Sequence, residues 1–244
     1  MQEVLHEKRG ETLIITINRP EKRNAISSAV IQGIYEGLSL AREDPQVKVV
    51  VLRSEGEIAF CAGFDLKEAS GSGKKSVSRV RQETLDEQGL FMRIWYFEKP
   101  VICAVQGFCI GGGTFFAMAS DLVIATENAT FKNPTAVLGY TPQIMLDIYK
   151  MPLNKYTEWL YLAKAFTAEE MYRFGFVNEV VPYEKLFDRS LEIAEQICRI
   201  PAESMKTLKK TIRKCYDIRG LAQANEYCAE VFNVNRLRMQ EESF

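Results

Sequence analysis

The chain has 244 residues, within the size one hydrophobic core can serve before chains divide at roughly 250 to 300 residues. Apolar residues make up 47% and charged residues 26%, which excludes global disorder. The balance of 31 Lys and Arg against 32 Asp and Glu excludes a net electrostatic footprint for nucleic acid or an anionic membrane. A single histidine, His6, excludes Ser-His-Asp and Cys-His triads, HExxH zinc sites and any site that needs several imidazoles, so no metal centre is expected.

The start, MQEVLHEKRGETL, has neither a basic lead into an apolar run nor an acid-poor composition; no targeting signal is expected there, and a cytoplasmic protein is. Leu13 to Asn18 reads as the first strand, and an amphipathic helix follows from about Ser27 to Glu43 with Val30, Ile31, Ile34, Leu38 and Ala41 on one face. Lys48 to Arg53 is an uninterrupted apolar run suited to a strand covered on both faces. After it, FCAGFDLKE reads as a strand end, a glycine bend and a helix start capped by Asp65. Ser70 to Ser76, SGSGKKS, reads as a flexible surface loop; it is no Walker A loop, because Glu68 stands where that motif needs its first glycine.

A helix from about Arg79 to Phe97 leads to a strand at Val101 to Val105, a glycine loop, a helix from about Gly113 to Ser120 and a strand at Leu122 to Ala125. The stretch from Pro100 to Ala119 approaches the ~20 apolar residues of a membrane span, but Gln106, Gly107 and three consecutive glycines argue for a buried strand and bend instead. From Asn154 the pattern turns helical, at Glu158 to Lys164, Ala168 to Arg173, Tyr183 to Cys198, Pro201 to Tyr216 and Leu221 to Met239, with a short strand at Asn178 to Val181. Cys61, Cys103, Cys109, Cys198, Cys215 and Cys228 form no CxxC pair and read as reduced core thiols. The reading is α/β, with a core at 1–190 and a helical region at 191–244.

Two glycine bends carry the chemistry. CAGFD at Cys61 to Asp65 and GFCIGGGT at Gly107 to Thr114 each lie between a strand and a helix start. Glycine lets backbone approach a ligand, and the first amides of a helix carry partial positive charge, so each bend can offer an N–H to an anionic oxygen. The same glycines would also serve tight strand-helix packing, which the bare pattern favours.

NRPEKRNAI at Asn18 to Ile26, AFCAGFDLKE at Ala59 to Glu68, the run from Lys99 to Ala125, FKNPTAVLGYTP at Phe131 to Pro142 and FTAEEMYRFGFVNEVVP at Phe166 to Pro182 resemble, in order and spacing, the enoyl-CoA hydratase/isomerase (crotonase) superfamily. The resemblance implies a spiral of stacked ββα turns, a C-terminal helical trimerisation region, a homotrimer or hexamer, and an acyl-CoA thioester substrate with no separate cofactor. It implies that the backbone amides of Phe64 and Gly112 form an oxyanion hole. It also implies that Arg23, Ala25, Ala62, Asp65 and Leu66 line the nucleotide and pantetheine, and that Gly111, Pro134, Thr135 and Gln143 border the substrate.

The pattern departs from the family at three places. Hydratases of the family carry glutamates just after the glycine run and just after the proline of FxxP; this chain has Phe115 and Thr135 there. The later position used by an isomerase branch for glutamate, and by a haloaryl-CoA branch for aspartate, holds Gln143. None of the three can exchange a proton near neutral pH. Tyr140 is a candidate acid or water-orienting group or an aromatic wall, and Asp147 and Glu68 are candidate displaced bases, Asp147 one turn from Gln143 if that segment is helical.

The expected function is therefore an acyl-CoA enzyme that stabilises an enolate without the glutamate pair, by isomerisation, decarboxylation or thioester cleavage. The alternatives are a weak or specialised hydratase and an acyl-CoA-binding protein without turnover. Lys206, Lys209, Lys210, Arg213 and Lys214 form a basic helix face, read as solvated surface or as a contact for a neighbour's CoA phosphates and not as a nucleic-acid site; the first helix has no lysine.

Overall fold

The computed structural model describes residues 2–65, 68 and 75–242. Two sheets grow side by side as the chain advances. The larger has the order β1-β2-β3-β5-β7-β10, from Val4–Arg9, Thr12–Ile17, Val49–Ser54, Val101–Val105, Leu122–Thr126 and Glu179–Val181. The smaller has the order β4-β6-β8-β9, from Ala59–Cys61, Phe108–Ile110, Thr130–Lys132 and Phe166–Thr167. After β2 the chain adds β3 to the first sheet and β4 to the second, then β5 and β6, then β7 and β8. Each pass is one ββ step of a spiral, and the α/β architecture expected from the sequence is present.

Among the described residues, the main helices are α1 (Ser28–Glu43), α2 (Val77–Trp95), α3 (Gly112–Ala119), α4 (Leu153–Tyr161), α5 (Ala168–Arg173), α6 (Leu186–Cys198), α7 (Ala202–Ile218) and α8 (Leu221–Glu242). Ser27 caps α1 by accepting from Val30 N at 3.1 Å, and Thr167 with Glu170 forms a reciprocal capping box on α5.

The strands between β2 and β7 are apolar on both sides because both sides are covered. Val50, Leu52 and Cys103 point into the main core with Phe91, Trp95 and Phe116. Val49, Val51, Ile102 and Ala104 point the other way, against Leu186, Ala194 and Cys198 of α6.

β1 precedes the strand at 12–17 and contains His6, whose Nε2 lies 2.8 Å from Gly33 O; its outer residues are charged and exposed, so it has no apolar alternation to detect. The helix expected at 158–164 lies at Leu153–Tyr161. The segment from Pro100 to Ala119 is β5, β6 and the start-to-end course of α3, and no helix among the described residues is long and apolar enough to cross a membrane. All six cysteines are free, but Cys215 is exposed rather than in the core.

The basic stripe of α7 is split between the inside and the surface. Lys209 and Arg213 are turned inward onto Asp121, with Nζ at 2.6 Å and Nη2 at 2.5 Å, and Lys206 pairs with Glu98 at 3.7 Å. Lys209 is therefore buried in its own chain and unavailable to a neighbour's CoA, while Lys206, Lys210 and Lys214 are exposed, as expected of solvated surface.

Candidate active site

β4 and β6 are adjacent parallel strands, with Cys61 opposite Cys109, so the bends that leave them emerge side by side. A Cβ built on Gly63 would lie 3.2 Å from Ile110 O and 3.6 Å from Gly112 N; one on Gly111 would lie 3.9 Å from Gly63 Cα and 4.0 Å from Pro134 Cδ. Gly63 at φ +95° and Gly111 at φ +52° take backbone conformations that side chains rarely permit. A Cβ on Gly113 would sit 2.4 Å from Cys61 O, so that glycine is needed for packing.

The first bend is aligned by a parallel bridge between Ile26 and Phe64. Ile26 N donates to Gly63 O at 2.8 Å and Ile26 O accepts from Asp65 N at 2.9 Å, which turns the N–H of Phe64 to the side away from Ile26. Gly112 is the first residue of α3, where an amide has no acceptor within the helix. Thr114 fastens this start by donating from N at 2.9 Å and from Oγ1 at 2.7 Å to Gly111 O.

Two residues that sequence reasoning missed hold the first motif in place. Asn24 donates to Glu55 O at 2.8 Å and Ala59 O at 2.7 Å, and its Oδ1 accepts from Arg19 N at 2.9 Å. Buried Arg19 donates to Ala25 O at 2.7 Å and to Asp65 Oδ2 at 3.2 Å, and pairs with Glu3 at 3.1 Å. The Asp65 carboxylate thus meets Arg19 across the bend. Ala62 N donates to Arg23 O at 3.1 Å, so Arg23, Ala25, Ala62 and Asp65 form one connected edge; Leu66 lies outside the described residues, as does most of the loop expected at 70–76. The only hint in the sequence was the NRPEKRN turn, where Arg23 and Asn24 adopt φ of 50° and 53°.

The carboxylate positions of the family are filled by neutral, internally engaged groups. Phe115 is buried, its ring centroid 5.3 Å from Phe91, which lies 6.0 Å from Phe64. Thr135 donates its hydroxyl and, at 3.2 Å, its N–H to Asn133 Oδ1. Gln143 is buried; its backbone oxygen accepts from Gln88 Nε2 at 2.9 Å, while its Oε1 has no partner among the described residues. The ring of half-buried Tyr140 rests 5.5 Å from Phe232 of α8, and its N donates to Thr135 O at 2.9 Å.

The two candidate displaced bases have different surroundings. Glu68 accepts from Ser28 N at 2.9 Å and Ser28 Oγ at 3.1 Å, at the start of α1. Asp147 starts a short 3-10 turn, since 143–146 is not helical, and is fully buried with the Tyr156 hydroxyl beside its carboxyl. Burial pushes its carboxyl up to about 7. It is therefore protonated in the fold where the unfolded chain has lost its proton, and stability falls as pH rises from the ordinary carboxylate value of 3.8 towards about 7. Urea unfolding at pH 5 to 8 is expected to show Asp147→Asn gaining on the parent as pH rises, by on the order of a few kcal/mol. Parallel pH profiles would contradict this. Burial likewise pushes the Cys61 thiol beside the first bend up to about 12, which leaves no thiolate nucleophile there.

Against known proteins, residues 7–241 match the family model described as enoyl-CoA hydratase/isomerase. A short-chain-enoyl-CoA hydratase of Clostridium acetobutylicum is 32% identical over 243 residues, covering 96% of this chain and 90% of that protein. A carnitinyl-CoA dehydratase of Salmonella paratyphi A is 35% identical over 217 residues, covering 87% and 81%. Among solved structures, a probable enoyl-CoA hydratase from Mycobacterium smegmatis superposes with a TM-score of 0.93 at 30% identity, over 100% of this chain and 98% of that one.

Proposed function

The chain belongs to the enoyl-CoA hydratase/isomerase family, and from that membership we propose that it processes an acyl-CoA thioester by stabilising an enolate or tetrahedral anion, without the paired glutamates of a hydratase. The observation that carries this reading is the pairing of two adjoining glycine bends with neutral residues at both glutamate positions, Phe115 and Thr135. The thioester oxygen accepts from the N–H groups of Phe64 and Gly112. As a proton, a carboxylate or a leaving group departs, charge gathers on that oxygen, and each donor lowers the barrier by ~2.7 to 4 kcal/mol. The rings of Phe64, Phe91 and Phe115 supply apolar surroundings in which such donors act more strongly.

Arg23, Ala25, Ala62, Asp65 and Leu66 follow the nucleotide and pantetheine, with the Asp65 carboxylate contributing through Arg19, which fixes the bend. Gly111, Pro134, Thr135, Gln143 and Tyr140 border the acyl end. The working form is a homotrimer or hexamer joined through the helices of 191–244, where Leu208, Ile212, Ile218, Tyr227 and Val234 are exposed. A cytoplasmic setting agrees with six free cysteines.

A second reading, water addition guided by other side chains, is favoured by the hydratase and dehydratase names of the curated relatives. Incubation with crotonyl-CoA, a 3-enoyl-CoA and methylmalonyl-CoA, followed by chromatography and mass spectrometry, separates the readings. Isomerised, decarboxylated or free-CoA products are expected. Rapid hydration of crotonyl-CoA would overturn the claim that losing both glutamates disables water addition and favour the second reading, and tight binding of every thioester without any product would leave an acyl-CoA-binding protein.

A further inference from the structure

α2 carries two glutamates one turn apart in different surroundings. Glu83 is met by Lys75 Nζ at 2.8 Å, Arg79 Nε at 2.9 Å and Arg236 Nη2 at 2.9 Å. Glu87, with 19% of its side chain exposed, is met by Arg236 Nη1 at 3.4 Å, the outer limit of a hydrogen bond. Burial raises its carboxyl above the ordinary value; the charges of Arg236 and Lys75 oppose that shift and the charge of Glu83 adds to it.

The position of Glu87 matters more than its charge. One turn further on the same helix face stands Phe91, whose ring touches both Phe64 of the first bend and Phe115 at the first vacant glutamate position. Along its other flank α8 runs antiparallel: Asn225 O accepts from Gln88, Arg236 donates to Thr84, and Gln240 accepts from Lys75 N. That register brings Phe232 to the level of Glu87, with the Arg236 guanidinium 5.7 Å from the Phe232 ring and the Tyr140 ring 5.5 Å beyond.

We propose that Glu87 is the proton-transfer group of the acyl site, supplied from α2 in place of the two absent glutamates and oriented by Arg236 of α8. This rests on the enolate reading. A Glu87 oxygen takes the proton from Cα of the thioester; the C–H electron pair forms the Cα=C bond and the carbonyl π pair moves to the oxygen held by the two amides. Return of a proton from Glu87 to Cα reverses the step, and return to Cγ of a 3-enoyl thioester completes an isomerisation, with no co-reactant and with the carboxylate regenerated.

The test is deuterium uptake at Cα of a saturated acyl-CoA and of a 3-enoyl-CoA in D2O, read by mass spectrometry, with thioester affinity measured by calorimetry. Glu87→Gln is expected to slow uptake by about 100- to 10,000-fold while affinity holds, and Glu87→Asp to restore part of it. The acid limb of the rate profile, inflecting above the ordinary carboxylate value, is expected to vanish in Glu87→Gln. Uptake by Glu87→Gln at the parent rate would overturn the assignment and leave the enolate reading standing; no uptake by the parent protein from any thioester would overturn both. Should Glu87→Gln fail to fold by circular dichroism, Arg236→Gln decides: removal of that cation is expected to move the acid limb to higher pH, and an unmoved limb would overturn the proposal.

Discussion

Gly112→Pro is expected to lose about 100- to 1000-fold in turnover beyond the loss in Gly112→Ala, the penalty of removing one oxyanion donor. The pair isolates the N–H from the added bulk. Either replacement brings a Cβ to 2.7 Å from Ile26 Cδ1, the movable end of a side chain, and 3.3 Å from Phe64 Cε2. Only proline removes the amide hydrogen, and at the first position of a helix proline costs little structure. Single-turnover rates with the preferred thioester, with circular dichroism as a check on α3, provide the comparison. Equal rates for the two variants would remove Gly112 N from the chemistry.

Asp121→Ala is expected to cost about 3 to 5 kcal/mol of stability, the usual consequence of removing one partner from a buried charge cluster. Asp121 accepts from Lys209 Nζ at 2.6 Å, Arg213 Nη2 at 2.5 Å and Val101 N at 2.8 Å. The two cations have 6% and 8% of their side chains exposed, and the Arg213 guanidinium lies 3.5 Å from the Trp95 ring centroid. Burial already lowers the Lys209 amine to about 8, against the opposing pull of Asp121. Without that carboxylate, the Arg213 charge would remain desolvated beneath α7, and the Lys209 amine would be pushed further down towards its neutral form. Urea midpoints of the parent, Asp121→Ala and the exposed-site control Lys210→Ala provide the measurement; a loss no larger than the control's would mean that water reaches the cluster.

The legible parts of this molecule are those whose cause is local. Val101 to Val105 is an unbroken β-branched and small-residue run, and the glycine bends are written in adjacent letters, so strand, bend and helix start could be placed within a residue or so. β1 could not, because as an edge strand with exposed charges it lacks apolar alternation. The second sheet is built from strands of two or three residues, too short for a period of two to register. Long-range pairs leave no local trace either: Arg19 finds Asp65 across 46 positions, Lys209 finds Asp121 across 88 and Arg236 finds Glu87 across 149. Read as a helix face, Lys209 and Arg213 gave a basic stripe; the fold makes them the inside of α7. Glu87 shows the same limit, since in a helix rich in charge nothing marks it until Phe91 and α8 are in place.

The central claim is that the two bends hold the thioester oxygen. A crystal structure with a non-hydrolysable acyl-CoA analogue tests it most directly. The carbonyl oxygen is expected within about 2.7 to 3.2 Å of both Phe64 N and Gly112 N, with the acyl chain running towards Phe115 and Tyr140. A carbonyl bound to neither amide, or an acyl chain seated away from the Gly63 and Gly111 bends, would contradict it.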